Sequence, residues 1–194
     1  MSNVSLSVGP QYIYQTTQTQ WVGNFTDPLM TATYGSRYVF GHIKQQVASA
    51  EIRLNWTFTP RLSLQVYLQP FIGVGHYDAF KELARPREYA YNLYGQGAST
   101  IDYSDGVYTV DPDGAGPAAP FSFANPDFNM KSLRGTVVLR WEYRPGSLLY
   151  LVWTQNRADY ANPGDFQFRR DMANLLTAPG DNIFMLKFSY CWGL

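Results

Sequence analysis

The most constraining feature of this sequence is a strict alternation of apolar and polar residues. Between Ala48 and Phe58 every even position is apolar, while the odd positions between them, such as Glu51 and Arg53, are polar. Successive side chains of a β-strand point to opposite faces, so this pattern predicts a strand with one apolar and one polar face. An amphipathic helix would instead repeat its apolar residues every three to four positions.

The same alternation predicts further long strands, about six in all, over residues 4–15, 62–74, 133–143, 148–155 and 184–194. Their connections differ greatly in length. Residues 59–61 and 144–147 contain proline and form short turns, whereas residues 21–37, 76–132 and 157–182 form long connections. The sequence therefore predicts an all-β fold: an antiparallel up-and-down meander, with short turns on one side and long loops on the other.

Some local structure is expected within the long connections. Residues 35–44 extend the second strand. In the segment 76–132, which we interpret as an extracellular loop, Asp105-Gly106 is a typical hairpin turn between residues 100–103 and 107–110. Residues 80–85 and 171–176 are predicted to form single helical turns.

Composition and strand length favour a membrane β-barrel over a soluble sheet. Charged residues make up 15% of the chain and aromatic residues 16%, against about 25% charged residues in a typical soluble domain. Strands that cross a bilayer at a tilt need about 9–11 residues. Aromatic residues end the apolar faces, as in the girdles of such barrels. The residues predicted to face lipid or form the girdles are Trp56, Phe58, Trp141, Tyr143, Trp153, Phe188, Tyr190 and Trp192.

The opposite, polar face is then predicted to line the barrel interior. Its charged residues are Glu51, Arg53, Arg134, Arg140, Glu142 and Lys187. Because both signs are present, we expect these groups to pair with one another in a packed lumen rather than form a selectivity ring. The alternative to a membrane barrel is a soluble β-sandwich or open barrel that binds a ligand or partner between its sheets.

Several classes of function are disfavoured by composition. Fifteen basic and fifteen acidic residues give a formal net charge of zero, which does not suit nucleic-acid binding. One cysteine and two histidines leave few ligands for a metal, and no serine lies in an arrangement that would activate it as a nucleophile. We therefore expect no metal, no cofactor and no enzymatic activity.

The two ends of the sequence suggest a segment of a larger protein. The first residues lack the basic and apolar regions of a signal peptide, and six strands are fewer than the eight of the smallest single-chain barrels. At the other end, apolar residues alternate through Leu186, Phe188, Tyr190, Trp192 and Leu194. This alternation resembles the β-signal that barrel-assembly machinery recognises, so we expect that machinery to be a partner.

Three stretches resemble a known family: residues 58–71, residues 125–129 with 137–153, and residues 181–190. The most specific is Arg-Trp-Glu-Tyr-Arg-Pro-Gly-Ser at residues 140–147. Together they resemble the C-terminal outer-membrane β-barrel region of the domain-of-unknown-function family 5916. Members of that family carry an N-terminal domain similar to family 9 carbohydrate-binding modules and occur in bacteria such as the Bacteroidetes.

The resemblance implies a location in a bacterial outer membrane. It also implies contact with outer-membrane lipid and with the rest of a larger barrel or an N-terminal carbohydrate-binding-like domain. The family has no established catalytic residues. By analogy, a role in carbohydrate uptake or surface binding is expected, and tyrosines of the long loop are candidates for stacking on sugar rings: Tyr89, Tyr91, Tyr94, Tyr103 and Tyr108.

Overall fold

A computed structural model describes residues 3–192, and it confirms a mostly β fold with 66% strand and 7% helix. The elements, in chain order, are β1 (Val4–Thr26), a 3-10 turn (Thr31–Thr33), β2 (Ser36–Thr59), β3 (Leu62–Leu83), β4 (Tyr91–Leu93), β5 (Thr100–Ser104), β6 (Val107–Asp111), β7 (Phe121–Ala124), β8 (Phe128–Arg144), β9 (Ser147–Asp159), α1 (Phe168–Thr177) and β10 (Gly180–Ser189).

The strands form two sheets. The larger one has the order β1-β2-β3-β8-β9-β10, with β4 also paired to β3, and the smaller one has the order β5-β6-β7. The pairings of β8, β9 and β10 are antiparallel, as predicted for a meander. Within residues 3–192, β1 and β10 lie at the edges of the larger sheet and no closed barrel is formed.

Several strands extend beyond their predicted ends. β1 continues to Thr26 and β3 to Leu83, so the connections predicted to begin at residues 21 and 76 begin later. The predicted helical turn at residues 80–85 is wrong, because most of this segment belongs to β3. Ala79 has a φ of +48°, and the buried Tyr77 and Phe80 on either side of it are three residues apart. This irregularity breaks the period of two and conceals the strand in the sequence.

The described residues form two compact units. The first unit comprises residues 3–13, 46–74 and 129–192, and the second comprises residues 14–45 and 75–128. The second unit has an aromatic core in which Tyr108 stacks on Phe123 with ring centres 5.4 Å apart. The hairpin predicted around Asp105-Gly106 is present, with positive φ values of 51° and 81° at the two turn residues. Phe121–Ala124 adds a third strand to it.

In the first unit, the pairing of β8, β9 and β10 places apolar residues in register. The successive cross-strand rows on one face are Val137–Trp153–Phe184, Leu139–Leu151–Leu186 and Trp141–Leu149–Phe188. Trp153, which was predicted on an apolar face, therefore shares that face of β9 with Leu149 and Leu151. The opposite face carries rows such as Arg140–Tyr150–Lys187.

The helical turn predicted at residues 171–176 is confirmed and is part of the longer helix α1. In the part of the chain that the structure describes, no helix has the length and apolar character needed to span a membrane. The last strand was expected to run over residues 184–194, but β10 runs from Gly180 to Ser189. Leu194, the end of the predicted alternation, lies outside the described residues.

Candidate functional site

The most conspicuous surface of the first unit is the set of three apolar rows on β8, β9 and β10, which we call the apolar face. Most of its side chains are exposed although they are large: Phe184 is 75% exposed, Leu186 is 67% and Trp141 is 47%, whereas Val137, Leu139 and Leu149 are half-buried. Soluble monomers seldom expose contiguous apolar patches of more than a few hundred Å², and larger patches indicate binding to a protein or a membrane. The apolar face is therefore the first candidate for an interaction site.

Aromatic residues with polar groups mark one end of the apolar face, next to the turn between β8 and β9. Tyr143 stacks on Phe188 with ring centres 5.4 Å apart, and its hydroxyl donates a hydrogen bond to the Ser189 carbonyl at 3.2 Å. Arg144 donates to the Tyr190 hydroxyl at 2.6 Å. Further aromatic pairs among the predicted girdle residues are Trp56–Phe58, Trp141–Tyr143 and Tyr190–Trp192.

Trp153 marks the other end of the apolar face. Its indole Nε1 donates to Asn182 Oδ1 at 2.9 Å, and Gln155 donates to the same oxygen at 3.0 Å. Gln155 and Asn182 belong to the next cross-strand row, where the face becomes polar. An indole with its ring on apolar surface and its N–H on a polar row is typical of a membrane–water boundary.

The charged residues predicted to line the interior form fewer ion pairs than expected. Among the six, within residues 3–192, only Arg53 and Glu51 form an ion pair. Arg53 also lies over the Tyr67 ring at 5.1 Å, and Lys187 lies 6.0 Å from the centre of the Tyr150 ring. Glu142 accepts a hydrogen bond from the Gly146 amide at 3.0 Å. Arg53 and Lys187 thus contact aromatic rings, whereas we predicted that the charged groups would mainly pair with one another.

Residues 160–179 cross the side of the sheet that carries the apolar face, whereas the sequence predicted a loop there. Lys131 pairs in register with Asp159, and Leu133 with Arg157, so these residues share a face with Val137 and Trp153. Arg157 donates hydrogen bonds to the carbonyls of Leu176 and of Ala178 at the end of α1. This crossing segment covers the end of the apolar side that lies beyond Trp153.

A buried polar network holds the crossing segment in place. Lys131 is 0% exposed, and its Nζ donates to Asp159 Oδ2 at 2.7 Å and to the Ala161 carbonyl at 2.8 Å. Asp171 of α1 lies 4.0 Å from the same nitrogen and accepts a hydrogen bond from Asn129 at 3.3 Å. The hydrogen bond and positive charge of Lys131 hold the pKa of Asp159 below its usual range, despite the opposing effect of burial.

Sequence reasoning missed this network, although one signal was available. Lys131 occupies an odd position of β8, and the odd positions that follow it up to Trp141 are apolar apart from a glycine. A charge in an apolar register requires a buried partner. That signal pointed to an acidic residue on the neighbouring strand or on a covering segment, and Asp159 and Asp171 are those residues.

A cavity of about 600 Å³ lies between the crossing segment and strands β1 to β3. The side chains that form it are mostly apolar, and they include Tyr12, Ala48, Ala50, Ile72, Phe166, Phe168 and Met172. Tyr12 and Phe166 face each other with ring centres 6.2 Å apart. We call this cavity the helix groove.

The second unit contains a smaller, polar cavity of about 440 Å³ beside a buried charge cluster. Arg37 pairs with Asp27 at 2.7 Å and with Glu82 at 2.6 Å, and the Tyr94 hydroxyl donates to Glu82 at 2.9 Å. Burial and the negative charge of Glu82 raise the pKa of Tyr94. Tyr91 and Tyr94 both line the cavity.

The tyrosines predicted to contact a ligand are thus divided between core and surface. Tyr94 and Tyr108 pack in the core of the second unit. Tyr89 is 98% exposed, and Tyr103 is also exposed. The ring centres of Tyr103 and Tyr108 are 4.7 Å apart. The surface of this unit therefore presents Tyr89 and Tyr103, and the polar cavity presents Tyr91.

The two histidines each contact an aspartate. His42 Nδ1 lies 2.5 Å from Asp78 Oδ1, Lys44 donates to Asp78 Oδ2 at 2.7 Å, and His76 Nδ1 lies 2.9 Å from Asp127 Oδ2. Burial alone would raise the pKa of Asp78, but its hydrogen bonds with Lys44 and His42 outweigh burial and lower it. Residues 3–192 contain no group of three or more histidine, cysteine or acidic side chains placed to hold a metal ion.

Comparisons with known proteins identify a family without a known activity. The family model described as "Domain of unknown function (DUF5916)" matches residues 2–192, so the chain belongs to this family. No curated protein and no solved structure matches the chain.

Proposed function

We propose that this member of the DUF5916 family is a non-enzymatic segment of the wall of a bacterial outer-membrane β-barrel. The observation that carries the proposal is the apolar face, which is continuous across β8, β9 and β10, mostly exposed, and bounded by aromatic residues with polar groups. In such a wall the apolar face contacts the hydrocarbon of the membrane, and the opposite face lines the barrel interior.

The length of the apolar alternation fits a bilayer. From Ala48 to Phe58 the chain advances by ten residues, which is about 33 Å along a strand at roughly 3.3 Å per residue. A strand tilted by about 45° crosses a vertical distance of about 23 Å over that length. The apolar band of an outer-membrane barrel is about 25 Å tall, so the length of this alternation, counted with the two alanines that lie below α1, supports the proposal.

The edges of β1 and β10 that pair with no strand among residues 3–192 suggest which partners complete the wall. An exposed strand edge offers a row of backbone hydrogen-bonding groups to another strand. We propose that further strands of a larger barrel pair there, that barrel-assembly machinery inserts the wall, and that an N-terminal carbohydrate-binding-like domain accompanies it. A role in carbohydrate handling rests on the family resemblance, and the exposed Tyr89 and Tyr103 are the residues we would expect to contact a sugar.

The second candidate function is that of a soluble open β-domain which binds a ligand or protein partner. The observation that favours it is the crossing segment, because a helix packed on one face of a sheet is how soluble domains cover apolar residues. In that case the uncovered apolar face would contact the partner.

Membrane insertion of two matched variants distinguishes the candidates. The full chain would be refolded with phospholipid vesicles, floated on a density gradient, and compared on gels with and without boiling. Leu139→Lys places a charge in the middle row of the apolar face, whereas Val138→Lys places it on the opposite face of the same strand. The membrane proposal predicts flotation of the wild type and of Val138→Lys, with a loss for Leu139→Lys that corresponds to about 2–4 kcal/mol. Recovery of all three as soluble monomers without detergent would refute it and favour the second candidate.

A further inference from the structure

We propose that the helix groove binds one acyl chain of a membrane phospholipid. This inference rests on the proposed membrane function. It concerns a site that is distinct from the apolar face. This site is the partly open space between α1 and strands β1 to β3, where both the helix and the sheet would contact a lipid chain.

The groove has the size and chemistry of a hydrocarbon site. Ala48 and Ala50 form its floor, Tyr12 and Ile72 line it, and Phe166, Phe168 and Met172 cover it. Ile72 is 1% exposed. A methylene group occupies roughly the volume of a water molecule, about 30 Å³, so the cavity of about 600 Å³ accommodates a chain on the order of twenty carbons. Mostly apolar cavities of this size are typical of ligand sites.

Residues of the sheet and residues that fix α1 both keep the groove open. On the sheet, Ala48 and Ala50 are too short to fill the space below the helix. On the other side, α1 is fixed by the polar network around Lys131 and by the hydrogen bonds of Arg157 to its last turn. Because these polar contacts set the position of the helix, it does not settle onto the alanines.

The position of the groove indicates that its occupant comes from the bilayer. Ala48 and Ala50 begin the same even-numbered series that continues through Ile52, Leu54 and Trp56, so the floor of the groove adjoins the proposed lipid-facing surface at the end that lies beyond Trp153. Phe168 at its rim is exposed. The exposed Arg169 is next to it in α1 and supplies a positive charge that suits a lipid phosphate.

The test uses a phospholipid with a photoactivatable diazirine near the end of one acyl chain. The full chain would be refolded into vesicles containing this lipid and irradiated, and the sites of attachment would be located by mass spectrometry. We expect adducts on residues 166–172. Ala50→Phe fills the groove and is expected to reduce those adducts at least fivefold. Val137→Phe, a matched substitution on the apolar face, should leave them unchanged.

Other results would overturn the inference. Equal adducts on residues 166–172 in the wild type and Ala50→Phe would mean that α1 only touches bulk lipid. Adducts on residues 184–188 without any on 166–172 would refute the groove while leaving the membrane proposal intact. Absence of flotation would refute the membrane proposal itself. If a free diazirine fatty acid then labelled residues 166–172 without vesicles, the groove would bind a soluble fatty acid, and the inference that its occupant is a membrane phospholipid would be wrong. Should Ala50→Phe fail to float, Ala48→Leu makes the same test with a smaller side chain.

Discussion

Lys131 gives the sharpest test of how the crossing segment is held on the sheet. Lys131→Met keeps much of the side-chain volume but removes the charge that contacts Asp159 and Asp171. Removal of one partner from a buried ion pair costs about 3–5 kcal/mol. Because the Asp159 side chain is 25% exposed and regains water, we expect a value near the lower end, about 3 kcal/mol.

This energy should appear as local opening of α1. Each 1.4 kcal/mol changes an equilibrium about tenfold, so hydrogen exchange of the α1 amides should accelerate on the order of a hundredfold in Lys131→Met. Trypsin should also cleave faster after Arg169 and Arg170. Lys187→Met, which removes a lysine from the exposed strand β10, is the matched control and should leave α1 unchanged.

A second substitution and a pH series separate the ion pair from other effects. Lys131→Met combined with Asp159→Leu should recover part of the lost stability, because no unpaired carboxylate then remains at position 159. The pKa of Asp159 is lower in the folded protein than in an unfolded chain, so its contribution is complete at neutral pH and is lost as the pH falls through the lowered pKa. Unchanged exchange of α1 in Lys131→Met would refute this account of the network.

Three further predictions concern the second unit. Asp78→Asn should remove the acid sensitivity of the contact between β2 and β3, since the lowered pKa of Asp78 makes that contact weaken as the pH falls; exchange of β2 amides against pH measures it. Tyr94→Phe should cost about 1 kcal/mol in denaturant unfolding through loss of the hydrogen bond to Glu82, and wild-type Tyr94 should stay protonated in a spectrophotometric titration at pH values that ionise free tyrosine. Phe123→Ala should cost about 3–5 kcal/mol, because Phe123 packs against Phe80 and Tyr108 in the core, and a change below 1 kcal/mol would contradict that placement.

The strands of the first unit could be predicted because most of them alternate apolar and polar residues over long stretches, as from Ala48 to Phe58. Leu139, Leu151 and Leu186 occupy apolar positions in three separate segments, and the structure brings them into one row. The period of two decides which residues share a face. Each short turn then makes the two strands that it joins neighbours in the sheet, as residues 144–147 do for β8 and β9.

Other features depend on tertiary contacts that periodicity does not contain. The end of β3 was missed because the positive φ of Ala79 shifts the alternation. The path of residues 160–179 across the sheet depends on Lys131 meeting Asp159 and Asp171, which are 28 and 40 residues away in the chain. Tyr94 was predicted to lie on a loop surface, but its hydroxyl bonds to Glu82, which itself pairs with the buried Arg37.

The central claim is that the apolar face contacts lipid, and quenching of tryptophan fluorescence by brominated phospholipids tests it most directly. Single-tryptophan variants would retain Trp141 or Trp153 of the apolar face, or carry Val138→Trp on the opposite face of the same sheet. After refolding into vesicles, we predict strong quenching of Trp141 and Trp153 and weak quenching of the tryptophan at position 138. Equal quenching of all three, or a water-soluble protein in which brominated lipid quenches none of them, would contradict the account.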